Sequence, residues 1–503
     1  MHNKTKLLIF ASLLLAACST DPMQEIPNRG DSAPEIETSG KICNTSDDAV
    51  AGSLIVKFGE EAIPSLEQNA LNAAKTRSAL TRSGIESVDD ILNDLHVTSL
   101  ERVFPEAGEH EARTRAAGLH RWYVLGFASE EDLDKAAERL AGVAEISKVQ
   151  FRTRLYRASD CKTYPFQATA NGQTRALVTA DFNDPNLFWQ WHYINNADQA
   201  VATTSVAGAD INVADAWKLT AGNPEVIVAI VDEGVKYTHP DLAANMWINP
   251  NPSPEYKNQD IHGWNFAADG PISWGQKGDS GHGTHVAGTV AAVNNNGIGV
   301  CGVAGGTGKG DGVRLMSCQI FSGDLTGDAL VSSRAVKYAA DHGASILQCS
   351  WGIKAGIYTS DNMFIKQSPM DYEALQYFAA QKNCEALDGG LIIFSAGNES
   401  TAMSGYPAGY RDYISVTSFS PDYLPANYTN YGSGCNIAAP GGETSGLSGG
   451  EKAGVLSTLC SETSLDGLPA RLGRSRTRPL LCPGEREEIL ARRIQDHAAH
   501  LGQ

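Results

Sequence analysis

The chain has 503 residues, long enough for more than one domain, with 42% apolar and 19% charged residues, as in an ordinary globular protein. Its formal charge of −18 argues against nucleic acid as a partner, because phosphate binding calls for a basic face. After the first residues, no run is long and apolar enough to cross a bilayer as a helix.

Lys4 and Lys6 precede the short apolar run "LLIFASLLLAAC", which reads as an export signal too short to span a membrane. Its end, Leu15-Ala16-Ala17-Cys18, resembles the bacterial lipobox. That resemblance implies a signal over 1–17, a lipid anchor on Cys18, and, with Ser19 following, the outer membrane of a Gram-negative cell. Residues 18–50 are polar and rich in Pro, Ser, Asp and Glu, as expected of a tether. The remaining cysteines show no CxxC spacing and read as small core residues.

Residues 51–157 predict a small α+β unit. "SLIVKF" (53–58), "VTSLERVF" (97–104) and "RWYVLGF" (121–127) are strand candidates, and a helix is expected over 60–80. "EEDLDKAAERLAGVAEI" has helical spacing of Leu133, Ala136, Ala137 and Leu140, and "SKVQFRTRLYR" alternates as one last strand. The order of elements is ferredoxin-like. Residues 158–183 are polar and irregular, a linker.

From residue 184, short apolar runs ("EVIVAIVD", "RLMSCQIF", "SILQCSWG", "GLIIFSAGN") alternate with helical stretches. This predicts a doubly wound α/β domain with a mostly parallel sheet and a site at the carboxyl ends of its strands. Three motifs fall there. Asp232 closes the first run. His282 opens a helix of small residues in "GDSGHGTHVAGTVAAV". Asn398 follows the strand "IIFS", where an amide can donate to an oxyanion.

Together these residues identify the chain as resembling the subtilisin-like serine proteases (subtilases) over roughly 184–460. "NDPNLFWQWHYIN", "GVCGVAGG", "SWG" and "YTNYGSGCNIAAPGG" add to the likeness. The resemblance implies endopeptidic hydrolysis of protein or peptide substrates without an organic cofactor. It makes His282 the general base, Asp232 its orienting acid and Asn398 an oxyanion donor. It gives Ser350, Trp351 and Gly352 as one wall of the substrate cleft, Leu325, Thr326 and Gly327 as a weaker match to the opposite edge, and 51–157 as an intramolecular inhibitor and folding aid. Trp351 hints at an apolar subsite. Glu233 stands where a hydroxyl residue is usual. Calcium is common in the family, but no ligand loop is identifiable from sequence. A zinc site on His282, His285 and Asp232 is the competing reading of "HGTH"; it lacks HExxH spacing.

The nucleophile is missing from its place. "VLSTL" (455–459) is present, yet no GTSMA(A/C)PHV segment follows it. Ser464 after Thr463 is a faint echo, without the preceding glycine. Read with the frame displaced by one base, "GLPARLGRSRTRPLLC" can encode "ACPHVSGVAALALSYA", the helix that follows the serine in the family. The expectation is a catalytic domain cut short at 184–465, with an aberrant tail over 466–503, and an inactive chain. A tail holding Pro469, Pro479 and Pro483 cannot replace that helix. The second reading is a non-catalytic peptide-binding protein that keeps the cleft.

Overall fold

A computed structural model describes residues 40–76, 78–127, 132–157, 164–165, 182–197, 202, 204–443, 453–460 and 480–482. The signal, Cys18, most of the tether and linker, Ser464 and nearly all of the tail lie outside the described residues. The compact unit begins at Lys41.

Strands β1 (Ala49–Phe58), β2 (Ser99–Arg102), β3 (Trp122–Gly126) and β4 (Ile146–Thr153) form an antiparallel sheet in the order β2-β3-β1-β4. Helices Ile63–Thr76 and Glu86–Asp94 lie between β1 and β2, and Leu133–Ala141 lies between β3 and β4, which is the ferredoxin-like arrangement. Side-chain alternation divides the sheet. Leu54, Val56 and Phe58 pack with Leu66, Val88 and Leu140 of its own helices. Ile55, Trp122 and Val124 face the other way, into a core shared with Val336, Leu375 and Phe378 of the following domain.

Two expectations are corrected here. The helix expected over 60–80 is a 3-10 turn at Glu60–Ala62 followed by Ile63–Thr76, with Pro64 tolerated in the first turn, where no intrahelical N–H is needed. The last strand is two: β4 stops at Thr153, and β5 (Tyr156–Arg157) leaves the sheet to pair with another partner. Its alternating sequence suits either edge, so periodicity could not show the exchange. A further short strand, β6 (Tyr164–Pro165), follows.

The second region carries a seven-stranded sheet. In chain order its strands are β7 (Ile227–Glu233), β8 (Gly263–Asn265), β9 (Arg314–Phe321), β10 (Ile346–Cys349), β12 (Leu391–Ser395), β13 (Ile414–Phe419) and β14 (Ile437–Pro440). They lie in the order β14-β13-β12-β10-β7-β9-β8, and every pairing is parallel. Both faces are covered, as a parallel sheet requires. Val228 and Ile230 pack on the side of helix His282–Ala291. Ala229 and Val231 pack against helices Ala329–Asp341 and Pro369–Ala379. Strand β11 (Trp351–Gly352) leaves the end of β10, and β15 (Val455–Ser457), β16 (Leu480–Cys482) and β6 form a small antiparallel sheet. Cys301, Cys318 and Cys349 are buried, as small core residues.

Candidate active site

Parallel strands bring their carboxyl ends to one rim, and the predicted residues gather there. Asp232 is the penultimate residue of β7 and 1% exposed. His282 is the first residue of its helix, with Nδ1 2.6 Å from Asp232 Oδ1. A carboxylate only accepts, so Nδ1–H is the donor, and in the neutral ring Nε2 then carries the lone pair. Asp232 Oδ1 also accepts the Glu233 backbone N–H at 2.6 Å.

Glycines make this approach possible. A Cβ on Gly283 would lie 2.1 Å from the Glu233 carbonyl oxygen, and one on Gly288 would lie 2.2 Å from Thr458 Oγ1. The helix His282–Ala291 is therefore buried along its whole length, its small residues letting strand and loop backbone close on it. His285, one turn on, meets the Val455 carbonyl through Nε2 at 3.2 Å. Among the described residues no three His, Cys, Asp or Glu side chains come together as a metal cluster, so the zinc reading finds no ligand set there.

Asn398 lies on the bend just after β12. The loop that carries it is held by a residue the sequence did not single out. Asn430 is fully buried; its Nδ2 donates to the Ala396 carbonyl at 2.9 Å and to Glu399 Oε2 at 2.6 Å, while its Oδ1 accepts from Glu399 N at 3.0 Å and Thr401 N at 3.1 Å. The amide thus uses its full donor and acceptor capacity on one loop.

Ser350 and Gly352 flank Trp351 at the end of β10. The hint that Trp351 forms an apolar subsite needs correcting. Its side chain is 5% exposed, its indole N–H donates to the Val231 carbonyl at 2.9 Å, and its ring packs edge-on against Phe394. Its side chain is part of the core, which leaves its backbone as the part that faces a neighbouring strand. That backbone is occupied by β5, which pairs antiparallel through Tyr156↔Gly352 and Arg157↔Trp351. From the opposite edge the Gly327 carbonyl accepts the Leu155 N–H at 2.8 Å. The end of the first domain thus runs as a middle strand between the two segments expected to hold substrate. Leu155 is buried in the shared core, and Lys354 sits 4.4 Å above the Tyr156 ring.

Polar contacts fix the docking. Lys57 Nζ lies 2.7 Å from Glu373 Oε1, and the Trp122 indole N–H donates to Glu373 Oε2 at 2.8 Å. Arg152 meets Asp328, the N-cap of helix Ala329–Asp341, at 2.6 Å, and Arg113 meets Asp341 at 2.8 Å. Gln150 bridges Asp371 Oδ2 and the Met370 N–H at 3.1 and 3.2 Å.

A second acidic place lies away from the dyad. Asp184 and Asp241 are both buried. Burial pushes the Asp241 carboxyl up to about 7, and the nearby Asp184 adds to the rise. Asp241 accepts from Asn296 Nδ2 at 2.7 Å and Val300 N at 2.9 Å, and Gly299 at φ +58° folds the loop onto it. Asp184 Oδ1 is buried without a hydrogen-bond partner. Two buried acids, an unpartnered carboxylate oxygen and a loop bent around them fit a hard cation such as calcium. No ligand loop was identified from sequence; the Asn- and Gly-rich "VNNNGIGV" (293–300) is the signal that could have pointed to this one.

A buried acid–imidazole pair at the rim of a parallel sheet, with an amide-bearing loop after another strand of that rim, is the framework of serine hydrolases of the α/β type. The subtilase family profile (Peptidase_S8) matches residues 223–468. Thermitase of Thermoactinomyces vulgaris is 31% identical over 231 residues, covering 46% of this chain and 68% of thermitase. Halolysin of Haloferax mediterranei is 31% identical over 274 residues, covering 54% of this chain and 43% of halolysin. The crystal structure of fervidolysin from Fervidobacterium pennivorans shares the fold, with a TM-score of 0.54 and 18% identity over 92% of this chain and 57% of that one. The chain belongs to the subtilase family. It spans less than half of halolysin and about two thirds of thermitase.

Proposed function

We propose that this chain is the precursor of an exported subtilisin-like serine endopeptidase whose Asp232 and His282 serve a nucleophile that the chain as it stands lacks. The observation that carries the reading is the 2.6 Å Asp232–His282 contact, buried at the carboxyl end of β7 in the sheet whose strand β12 leads into the Asn398 loop. In the reaction, His282 Nε2 takes the serine proton as Oγ bonds to the peptide carbonyl carbon. Asn398 donates to the resulting oxyanion, and the amine leaves with the proton from His282; water then releases the acyl group by the same steps. Asp232 holds the Nδ1–H tautomer and stabilises the imidazolium. The test is active-site labelling of a frame-restored chain with and without His282→Ala.

Residues 51–157 act as the inhibitor. β5 takes the backbone positions a substrate strand would use, and the carboxylates of Glu373, Asp328 and Asp341 receive Lys57, Arg152 and Arg113. Asp371 is partly buried, and that burial pushes its carboxyl up to about 7. It faces Gln150, Ser332 and Ser333, with Asp328 nearby. The folded form therefore holds a proton that the unfolded chain releases near pH 4, so folding stability falls as pH rises from about 4 to about 7. Thermal unfolding is expected to show a lower Tm at pH 8 than at pH 5, and Asp371→Asn is expected to reduce that difference, with Asp241, also raised to about 7, supplying the remainder.

The lipobox reading places Cys18 as a lipid anchor and the mature chain at a cell envelope. Asp184 and Asp241, with the 293–300 loop, would hold calcium and tie the first residues of the protease region to the histidine helix's neighbouring loop. Millimolar calcium is expected to raise Tm by several degrees and excess chelator to reverse it. Asp241→Asn is expected to remove the response.

A further inference from the structure

The helix that presents His282 starts without a cap of its own. Its N-cap is Gly281, at φ +81°, which has no side chain to accept the first N–H groups. Those groups are taken by Glu233, the residue that stands in place of the usual hydroxyl. Glu233 is 1% exposed. Its Oε2 accepts from Gly281 N at 2.9 Å, His282 N at 3.0 Å and Ser280 N at 3.1 Å. Its Oε1 accepts from Ser280 Oγ at 3.1 Å and Ser280 N at 3.2 Å.

We infer that Glu233 is a positioning residue for catalysis: consecutive acids at the end of β7 grip His282 twice, Asp232 by its ring and Glu233 by its backbone, so that the imidazole stands at a fixed place on the strand. The inference rests on the catalytic reading of the Asp232–His282 pair. A hydroxyl at 233 is too short and has too few lone pairs to meet three backbone donors. The carboxylate also places a full negative charge at the helix's positive end, where it is most favourable. Glu233 therefore replaces a cap that Gly281 cannot provide. At φ +81° Gly281 holds a backbone conformation that residues with a side chain rarely adopt, and a Cβ there would come within 2.8 Å of Leu459 Cδ1.

The readout is the exchangeable proton on His282 Nδ1, which in a 2.6 Å bond to a carboxylate resonates well downfield of the amides. It is recorded by one-dimensional proton NMR on the full chain and assigned by its loss in His282→Ala. Glu233→Ala is expected to exchange this proton with water about tenfold faster, the scale of one lost cap, broadening the signal. Glu233→Gln, which keeps one acceptor oxygen, is expected to retain the signal. Ser360→Ala removes a different helix cap, the one on Met363 N, and is expected to lower Tm without moving the signal. An unchanged sharp signal in folded Glu233→Ala overturns the inference. If that variant does not fold, Glu233→Thr is judged by the same criterion. Absence of the signal from the unmodified chain would instead remove the Asp232–His282 pairing, and the inference with it.

Discussion

A fluorophosphonate probe is expected to leave this chain unlabelled, and peptide hydrolysis is expected to fall about 10⁶-fold below that of an intact relative, the scale found when subtilisin loses its own serine. The expectation does not arise from a defect in the base. Asp232 and His282 are in hydrogen-bonding contact, and Asn430 holds the loop of Asn398 with four hydrogen bonds. The expectation arises from the proposed reading of the segment after Leu459 as displaced in frame. Ser464 is followed by Leu465 and Asp466 rather than by Met and Ala, and the chain then turns to Arg, Pro and Gly. A displaced frame would account for that composition, because Ala and Val codons read one base out of step yield such residues. On that reading the helix after the serine is absent, and about five apolar side chains would lose their burial, on the order of 10 kcal/mol. That approaches the whole stability of a domain. Mass spectrometry of the intact chain after probe treatment checks the prediction: an adduct on any residue of the unmodified sequence counts against it.

Gly283→Val is expected to destabilise the protease region by about 3 kcal/mol or more and to separate His282 from Asp232. The added Cβ would meet the Glu233 carbonyl oxygen at 2.1 Å, its carbon at 2.7 Å and its Cα at 3.3 Å, all backbone atoms of a central strand. None of them can turn aside as a side-chain tip can. The strand is pinned on both sides by β9 and β10, so the helix must move, and it carries the imidazole with it. Gly270→Ala makes the control: its nearest neighbour is 3.9 Å away, and an effect below about 0.5 kcal/mol is expected. Denaturant unfolding of both variants, with the downfield His282 signal as a local probe, separates the two outcomes.

How much of this was legible in the sequence depended on whether a feature was local. The apolar runs that became β7, β9, β10 and β12 are continuous and short, and their burial on both faces follows from that. Asp232, His282 and Asn398 lie at the ends of elements, where the motif itself marks the boundary. Partners distant in the chain were not legible. The alternation of 147–157 gives no sign that Leu155 exchanges its own sheet for the Gly327 carbonyl. Trp351 reads as a pocket residue until the Val231 carbonyl is found bonded to its indole. Glu233 looked like a departure from pattern; only the geometry shows that Gly281, 48 residues later, leaves the donors it collects. Asp184 and Asp241 are separated by a whole strand and turn, and neither carries a motif that links it to the 293–300 loop.

The most direct test of the central claim is to restore the displaced frame after Leu459 and treat the purified product with a fluorophosphonate. The account predicts one adduct on the serine of the restored segment, release of the 51–157 region, and loss of both in His282→Ala. A folded, frame-restored chain that stays unlabelled with His282 and Asp232 in place would contradict it.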